Sequence, residues 1–156
     1  MPNQQDQLAA QVAELTRQVN ELQDHADIHR LIDEYGKAMD ERRWEDWEAV
    51  FSEDAVCHYP WGETHGRAGM GAKCEEILKD FLVTEHLSGN VLIDLEGDHA
   101  RSRRNVWITC IKPDDQPGVH FTEGGVYTCE HVRTPDGWRF SRVVLSIKWA
   151  QNGEAL

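Results

Sequence analysis

The sequence predicts an α+β fold, with helices first and an antiparallel run of strands after them. Three observations carry this expectation. Ile28, Leu31, Ile32, Tyr35, Ala38 and Met39 share one face of a helix. Val91, Ile93 and Leu95 alternate with Leu92, Asp94 and Glu96, the period of a strand. Gly97-Asp98 and Thr134-Pro135-Asp136-Gly137 are turn signals between the later segments.

In chain order, the first element is a helix with an a/d seam. Leu8, Val12, Leu15, Val19 and Leu22 step alternately by four and three. The seam is too short for a strong isolated coiled coil, so it is expected to pack on the domain or on a partner subunit. After Asp24 the apolar phase shifts to the face that contains Tyr35, on a second helix or a continuation of the first. Trp44, Trp47, Val50 and Phe51 suggest a short third helix. Residues 54–59 read as a strand, followed by a loop with Pro60, Trp61, Gly62 and Gly66, and residues 68–81 as a further helix. Strands are then expected over 91–96, 99–111, 125–133 and 138–149, with a loop at 113–118. In the last strand Val143, Leu145, Ile147 and Trp149 share one face. The organisation is a helical extension over residues 1–24 and one α+β domain over 25–152, without repeats.

Composition narrows the function classes. The chain has 156 residues, 28 acidic against 16 basic, and a formal charge of -12. Such a surface repels phosphate backbones and anionic lipid, so neither nucleic acid nor membrane is an expected partner. The start MPNQQDQLAAQ has no basic segment followed by an apolar run, which predicts a cytoplasmic protein. The four cysteines, Cys57, Cys74, Cys110 and Cys129, lack CxxC or zinc-site spacing and read as reduced structural thiols. The eight histidines form no HxH or HExxH pattern; His58 and His65 flank the Pro-Trp-Gly loop. No metal site is expected, and without a Gly-rich phosphate loop no nucleotide is implied.

Local motifs add a resemblance. Tyr35-Gly-Lys-Ala-Met-Asp40, then Arg43-Trp44-Glu-Asp-Trp47 to Phe51 and Asp54-Ala-Val, resemble the opening of SnoaL-like proteins of the nuclear-transport-factor-2-like superfamily. Thr84-Glu-His86-Leu-Ser-Gly-Asn90, Gly124-Gly-Val-Tyr127 and Asp136-Gly-Trp138-Arg-Phe140 extend the likeness over about residues 28–149. The resemblance implies a cone-shaped, curved, mostly antiparallel sheet packed with the N-terminal helices. Here it would carry one extra helix at the N-terminus. It also implies an Asp–His pair like that of scytalone dehydratase, hexachlorocyclohexane dehydrochlorinase and the bile-acid dehydratases. By position the aspartate is Asp40 and the histidine His86. Tyr35 matches a tyrosine of the bile-acid dehydratases, Tyr59 one of scytalone dehydratase, and Arg133 falls near an arginine of the dehydrochlorinase. Scytalone dehydratase has a second histidine on the next long strand, where this chain has Asn105, Trp107 and Thr109.

The expected chemistry is proton transfer. Histidine titrates near neutral pH, and a carboxylate on one ring nitrogen fixes its tautomer. Asp40, His86 and Tyr35 are the candidate catalytic residues. Tyr59, Trp61, Asn105, Trp107, Tyr127 and Arg133 are the candidate substrate-binding residues. Arg101, Arg103 and Arg104 read as a solvated or subunit-facing strand edge. The implied activity is a cofactor-independent dehydratase, isomerase or cyclase. Its expected guest is a hydrophobic polyketide-, terpenoid- or steroid-like molecule, flat enough to lie on the aromatic surface that six tryptophans offer. A homodimer or trimer is expected. The alternatives are a scaffold like the small subunits of ring-hydroxylating dioxygenases, or a protein that only holds a hydrophobic ligand.

Overall fold

The structure, a computed structural model, describes residues 3–114 and 118–152. The middle of the expected 113–118 loop, residues 115–117, lies outside the described residues. The elements run α1 (Gln4–Asp40), α2 (Trp44–Ala49), β1 (Phe51–Tyr59), β2 (Gly62–His65), α3 (Met70–Leu78), β3 (Val83–Glu96), β4 (His99–Ile111), β5 (Phe121–Thr134) and β6 (Gly137–Gln151).

The two expected N-terminal helices are one unbroken helix. Its start is fixed by a reciprocal capping box, in which Asn3 Oδ1 accepts from the Asp6 amide and Asp6 Oδ2 from the Asn3 amide. Its end is set by Arg42, which takes a left-handed φ of 59°. The phase shift at Asp24 therefore marks a change of surroundings along one helix. Residues 3–23 are exposed throughout, whereas Ile28 to Met39 lie against the sheet. Asp24 pins the crossover point: it accepts two hydrogen bonds from Arg133 at 2.8 and 2.7 Å and one from Trp138 Nε1 at 3.1 Å.

The six strands form one sheet in the order β2-β1-β6-β5-β4-β3. All neighbours are antiparallel except β1 and β6, which pair in parallel. The pair Gly62–His65 with β1 is a short hairpin where the sequence suggested only a loop. Register shifts interrupt β3 between Gly89 and Leu92, and β5–β6 at Gly124/Gly125 and Glu130/His131. Such bulges increase local twist and bend a strand. The outcome is a curved sheet whose concave face is covered by α1, with α2 and α3 packed on one another beside it.

Strand parity decides what enters this interior. On β4, Ser102, Arg104, Val106, Ile108 and Cys110 are buried, and Arg103, Asn105 and Trp107 are exposed. On β5, Glu123, Tyr127, Cys129 and His131 point the same way as the first set. The outer face has its own packing. Trp107 pairs with Gly124, and Gly124 with Trp149, in register across three strands. The Trp107 and Trp149 rings meet edge to face at 4.7 Å. A Cβ on Gly124 would come within 2.3 Å of the Trp149 ring, so only glycine lets that ring lie on the strand.

Candidate active site

Asp40 is the last residue of α1, and His86 sits near the start of β3, the edge strand that the helix crosses. The carboxylate holds the histidine at two points. Oδ1 lies 2.6 Å from His86 Nδ1, and Oδ2 accepts the His86 backbone N–H at 2.8 Å. The His86 side chain is 7% exposed and that of Asp40 21%. Asp40 approaches from behind: it borders the outer groove between α1 and β3, while His86 also lines the inner cavity. Only the imidazole of the pair therefore faces the interior.

That cavity lies between α1, α3 and the concave sheet. Beside His86, its walls are Tyr35, Tyr59, Trp61, Cys74, Ile108, Cys110, Glu123, Tyr127 and Leu145, with Met39, Pro60, Ile77 and Leu78 completing them. The space between the walls, mouth included, is about 490 Å³, but only about 40 Å³ admits the centre of a water molecule. It is a narrow slot in this state. A polycyclic skeleton requires the rim to open. Trp61 forms that rim, stacked on Tyr59 at 4.5 Å and 14° with Lys73 Nζ 4.8 Å from its ring centre.

Three tyrosine hydroxyls meet at one wall. Tyr35 Oη lies 3.0 Å from Tyr59 Oη and donates to Tyr127 Oη at 3.2 Å. Each hydroxyl owns one proton. With the Tyr35 proton directed at Tyr127, the Tyr127 hydroxyl keeps its own proton for another acceptor. Burial raises all three hydroxyls above the ordinary phenol value, which keeps them neutral donors at pH 7. Burial likewise pushes the Cys74 and Cys110 thiols up to about 12, so the sulfurs in the wall stay protonated.

The structure thus gathers Tyr35, Tyr59, Trp61, Tyr127 and His86 around one space, with Asp40 directly behind His86. Asn105, Trp107 and Arg133 are corrected. Asn105 and Trp107 have the opposite parity on β4 and face outward. Arg133 shares the parity of His131 but lies at the turn end of the β5–β6 hairpin, held by Asp24 and Asp98 away from the cavity walls. Among the tryptophans only Trp61 borders the cavity; Trp47 and Trp138 are core, and Trp107 and Trp149 cover the outer sheet. Arg104, expected at a solvated edge, is fully buried. His58 and His65 both pair with Glu63, the former at 2.6 Å. Among the described residues no group of three or more His, Cys, Asp or Glu is placed to hold a metal ion.

Glu123 is a cavity residue that the sequence argument missed. It is 2% exposed and stands in one row with Ile108 and His86 across β5, β4 and β3. Its signal was present, because Glu123 shares the two-residue period of Tyr127, Cys129 and His131.

Comparisons with known proteins agree with this architecture. The SnoaL-like domain model matches residues 20–144. The uncharacterised protein Rv2910c of Mycobacterium tuberculosis is 36% identical over 132 residues, covering 81% of this chain and 86% of that protein. A protein provisionally named a scytalone dehydratase, from Novosphingobium aromaticivorans, superposes with a TM-score of 0.78 at 24% identity, over 87% of this chain and 91% of its own. The hexachlorocyclohexane dehydrochlorinase LinA-type3 of Novosphingobium barchaimii superposes with a TM-score of 0.75 at 17% identity, over 86% and 92%. At these identities the likeness to the solved structures is one of fold. The domain match and the mycobacterial relative together show that this chain belongs to the SnoaL-like family.

Proposed function

We propose that the protein is an acid–base enzyme that moves a proton on a small hydrophobic guest, as a dehydratase, isomerase or cyclase working without a cofactor. The observation that carries this is the Asp40–His86 contact of 2.6 Å at the wall of an enclosed, mostly apolar cavity. A carboxylate on Nδ1 favours the tautomer with the proton there and leaves Nε2 as the basic nitrogen. It also stabilises the imidazolium once Nε2 has taken a proton. His86 is the base in this reading, and Asp40 positions it.

The opposite requirement is a donor for the oxygen where negative charge develops. Tyr127 fills this role better than Tyr35, whose proton is directed at Tyr127. Preorganised donors of this kind stabilise an enolate or a leaving oxygen in a site that excludes water. The set suits removal of a C–H proton beside a carbonyl or opposite a leaving group. Dehydratase and dehydrochlorinase names among the structural neighbours point to the same class of chemistry. The slot favours a flat ring between the tyrosine wall and Ile108, and polycyclic guests would need Trp61 to move. A scaffold subunit would have no use for a buried carboxylate–imidazole pair.

The test is to incubate the protein with flat cyclic ketones, hydroxyketones and halides in heavy water. NMR then follows carbon-bound deuterium and the loss of water or halide. Catalysed exchange or elimination by the wild type, absent in His86→Gln, is the expected result. Exchange at the same rate in the variant would overturn the reading.

A further inference from the structure

The first twenty or so residues of α1 leave the domain and touch nothing on it. We infer that this arm is a dimerisation helix, and that its partner is the same arm of a second copy, parallel and in register. The inference is independent of the catalytic reading. The match to the family begins at residue 20, so most of the arm lies before it.

The seam residues Leu8, Val12, Leu15, Val19 and Leu22 are 54–69% exposed, and among the described residues no element covers them. A lone helix of this length is marginal in water, so an apolar seam on it calls for a second surface. The choice of residues says which. Assigning the 4-3 spacing to heptad positions puts Val12 and Val19 at a, and Leu8, Leu15 and Leu22 at d. A β-branched residue at a with leucine at d favours two parallel strands.

Charge also points to a second copy. The positions flanking the seam are Ala9, Thr16 and Gln23 on one side and Gln11 and Gln18 on the other, all uncharged. In a chain with a formal charge of -12, most foreign surfaces would have to be selected by charge, and these flanks do not offer any. Two arms placed seam to seam bring no like charges together along these flanks. The charged residues of the arm are turned away and bonded within one helix: Arg17 bridges Glu14 at 2.6 Å and Glu21 at 2.5 Å.

Size sets the strength. From Leu8 to Leu22 the seam runs roughly 22 Å at the α-helical rise. Two such arms bury on the order of 1,000 Å², the lower bound of a stable interface. An interface of that size makes a reversible dimer. Its two-fold axis runs along the arms.

The experiment is sedimentation velocity on the full chain across micromolar concentrations, wild type against the double variant Leu15→Lys/Val19→Lys. The expected result is a monomer–dimer equilibrium in the wild type and a monomer in the variant, with the melting temperature of the domain little changed. Register is read by mild oxidation of variants with one cysteine added to the arm, the four native cysteines being buried. Val12→Cys, in the seam, is expected to give a disulfide-linked dimer, and Arg17→Cys, on the opposite face, is not. A wild-type monomer would overturn the inference, as would a dimer that survives the two lysines. So would a dimer that the lysines break but that Val12→Cys fails to link, because the arm would then sit on its partner's domain.

Discussion

The guanidinium carbon of Arg104 lies 4.3 Å from the centre of the Tyr127 ring, inside a core where no carboxylate pairs with it among the described residues. The same group is 5.4 Å from the Tyr35 ring and 5.7 Å from Phe140. Its polar contacts are Nε to Ser88 Oγ at 3.2 Å and Nη1 to Cys129 Sγ at 3.4 Å, while Nη2 has none. A buried cation without a counter-charge is costly, and the ring faces supply only part of the compensation.

Arg104→Met is therefore expected to keep the fold and to change stability by no more than about 1 kcal/mol in either direction, since replacing a buried charge by an apolar side chain is often neutral or better. The tyrosines respond in the other sense. Burial raises the Tyr127 hydroxyl and Arg104 draws it down, so removing the cation raises it further. Ultraviolet titration of tyrosine ionisation measures this; a lower midpoint in the variant would contradict the assignment.

His131 predicts how the protein responds to acid. Its ring nitrogen Nε2 lies 2.8 Å from Ser102 Oγ, and burial first and the Arg104 charge second push its value from 6.5 down to about 3. The unfolded chain therefore binds a proton that the folded chain refuses. The stability it leaves intact above pH 6.5 is lost as pH falls from there towards about 3. The loss is about 1.4 kcal/mol per pH unit over the titrating range. Urea denaturation at stepped pH should show this slope in the wild type and a shallower one in His131→Phe.

Asp24 anchors α1 where the helix reaches the domain. Its hydrogen bonds from Arg133 lower its carboxyl below 3.8, against an opposing effect of burial. Arg133 is 38% exposed, which weakens the pair. Asp24→Ala is expected to cost about 1 kcal/mol, most of it from the unpaired Trp138 Nε1, since Arg133 keeps Asp98. The native contribution is present above pH 3.8 and declines below it. Thermal unfolding at neutral pH and near pH 3 measures both.

Much of the fold was legible because its elements carry strong periods. The Ile28-to-Met39 face is the buried face of α1, and the 97–98 and 134–137 turns separate the strands as expected. The continuity of α1 was not legible, because a change of surroundings and a helix break leave the same phase shift in the sequence. At the candidate site, the errors came from parity. Asn105 and Trp107 were placed inside by analogy with a histidine on the corresponding strand of a relative. Val106, Ile108 and Cys110 show that the even positions are the inner ones on β4. The same count brings Arg104 inside and would have exposed it as a buried cation. A shift of one residue exchanges the two faces of a strand. The approach of Asp40 to His86 spans 46 positions and depends on where α1 crosses β3, which no local pattern encodes.

The most direct measurement is the rate of deuterium uptake at the α-carbon of cyclohexanone in heavy water, by wild type, Asp40→Asn and His86→Gln. Saturation-transfer NMR in the same samples verifies that the ketone is bound. The expected result is faster exchange than in buffer for the wild type. Losing the proton-transfer group should slow it by roughly 10²–10⁴-fold, with binding retained. Equal exchange by all three proteins with the ketone bound would contradict proton transfer by His86 held on Asp40.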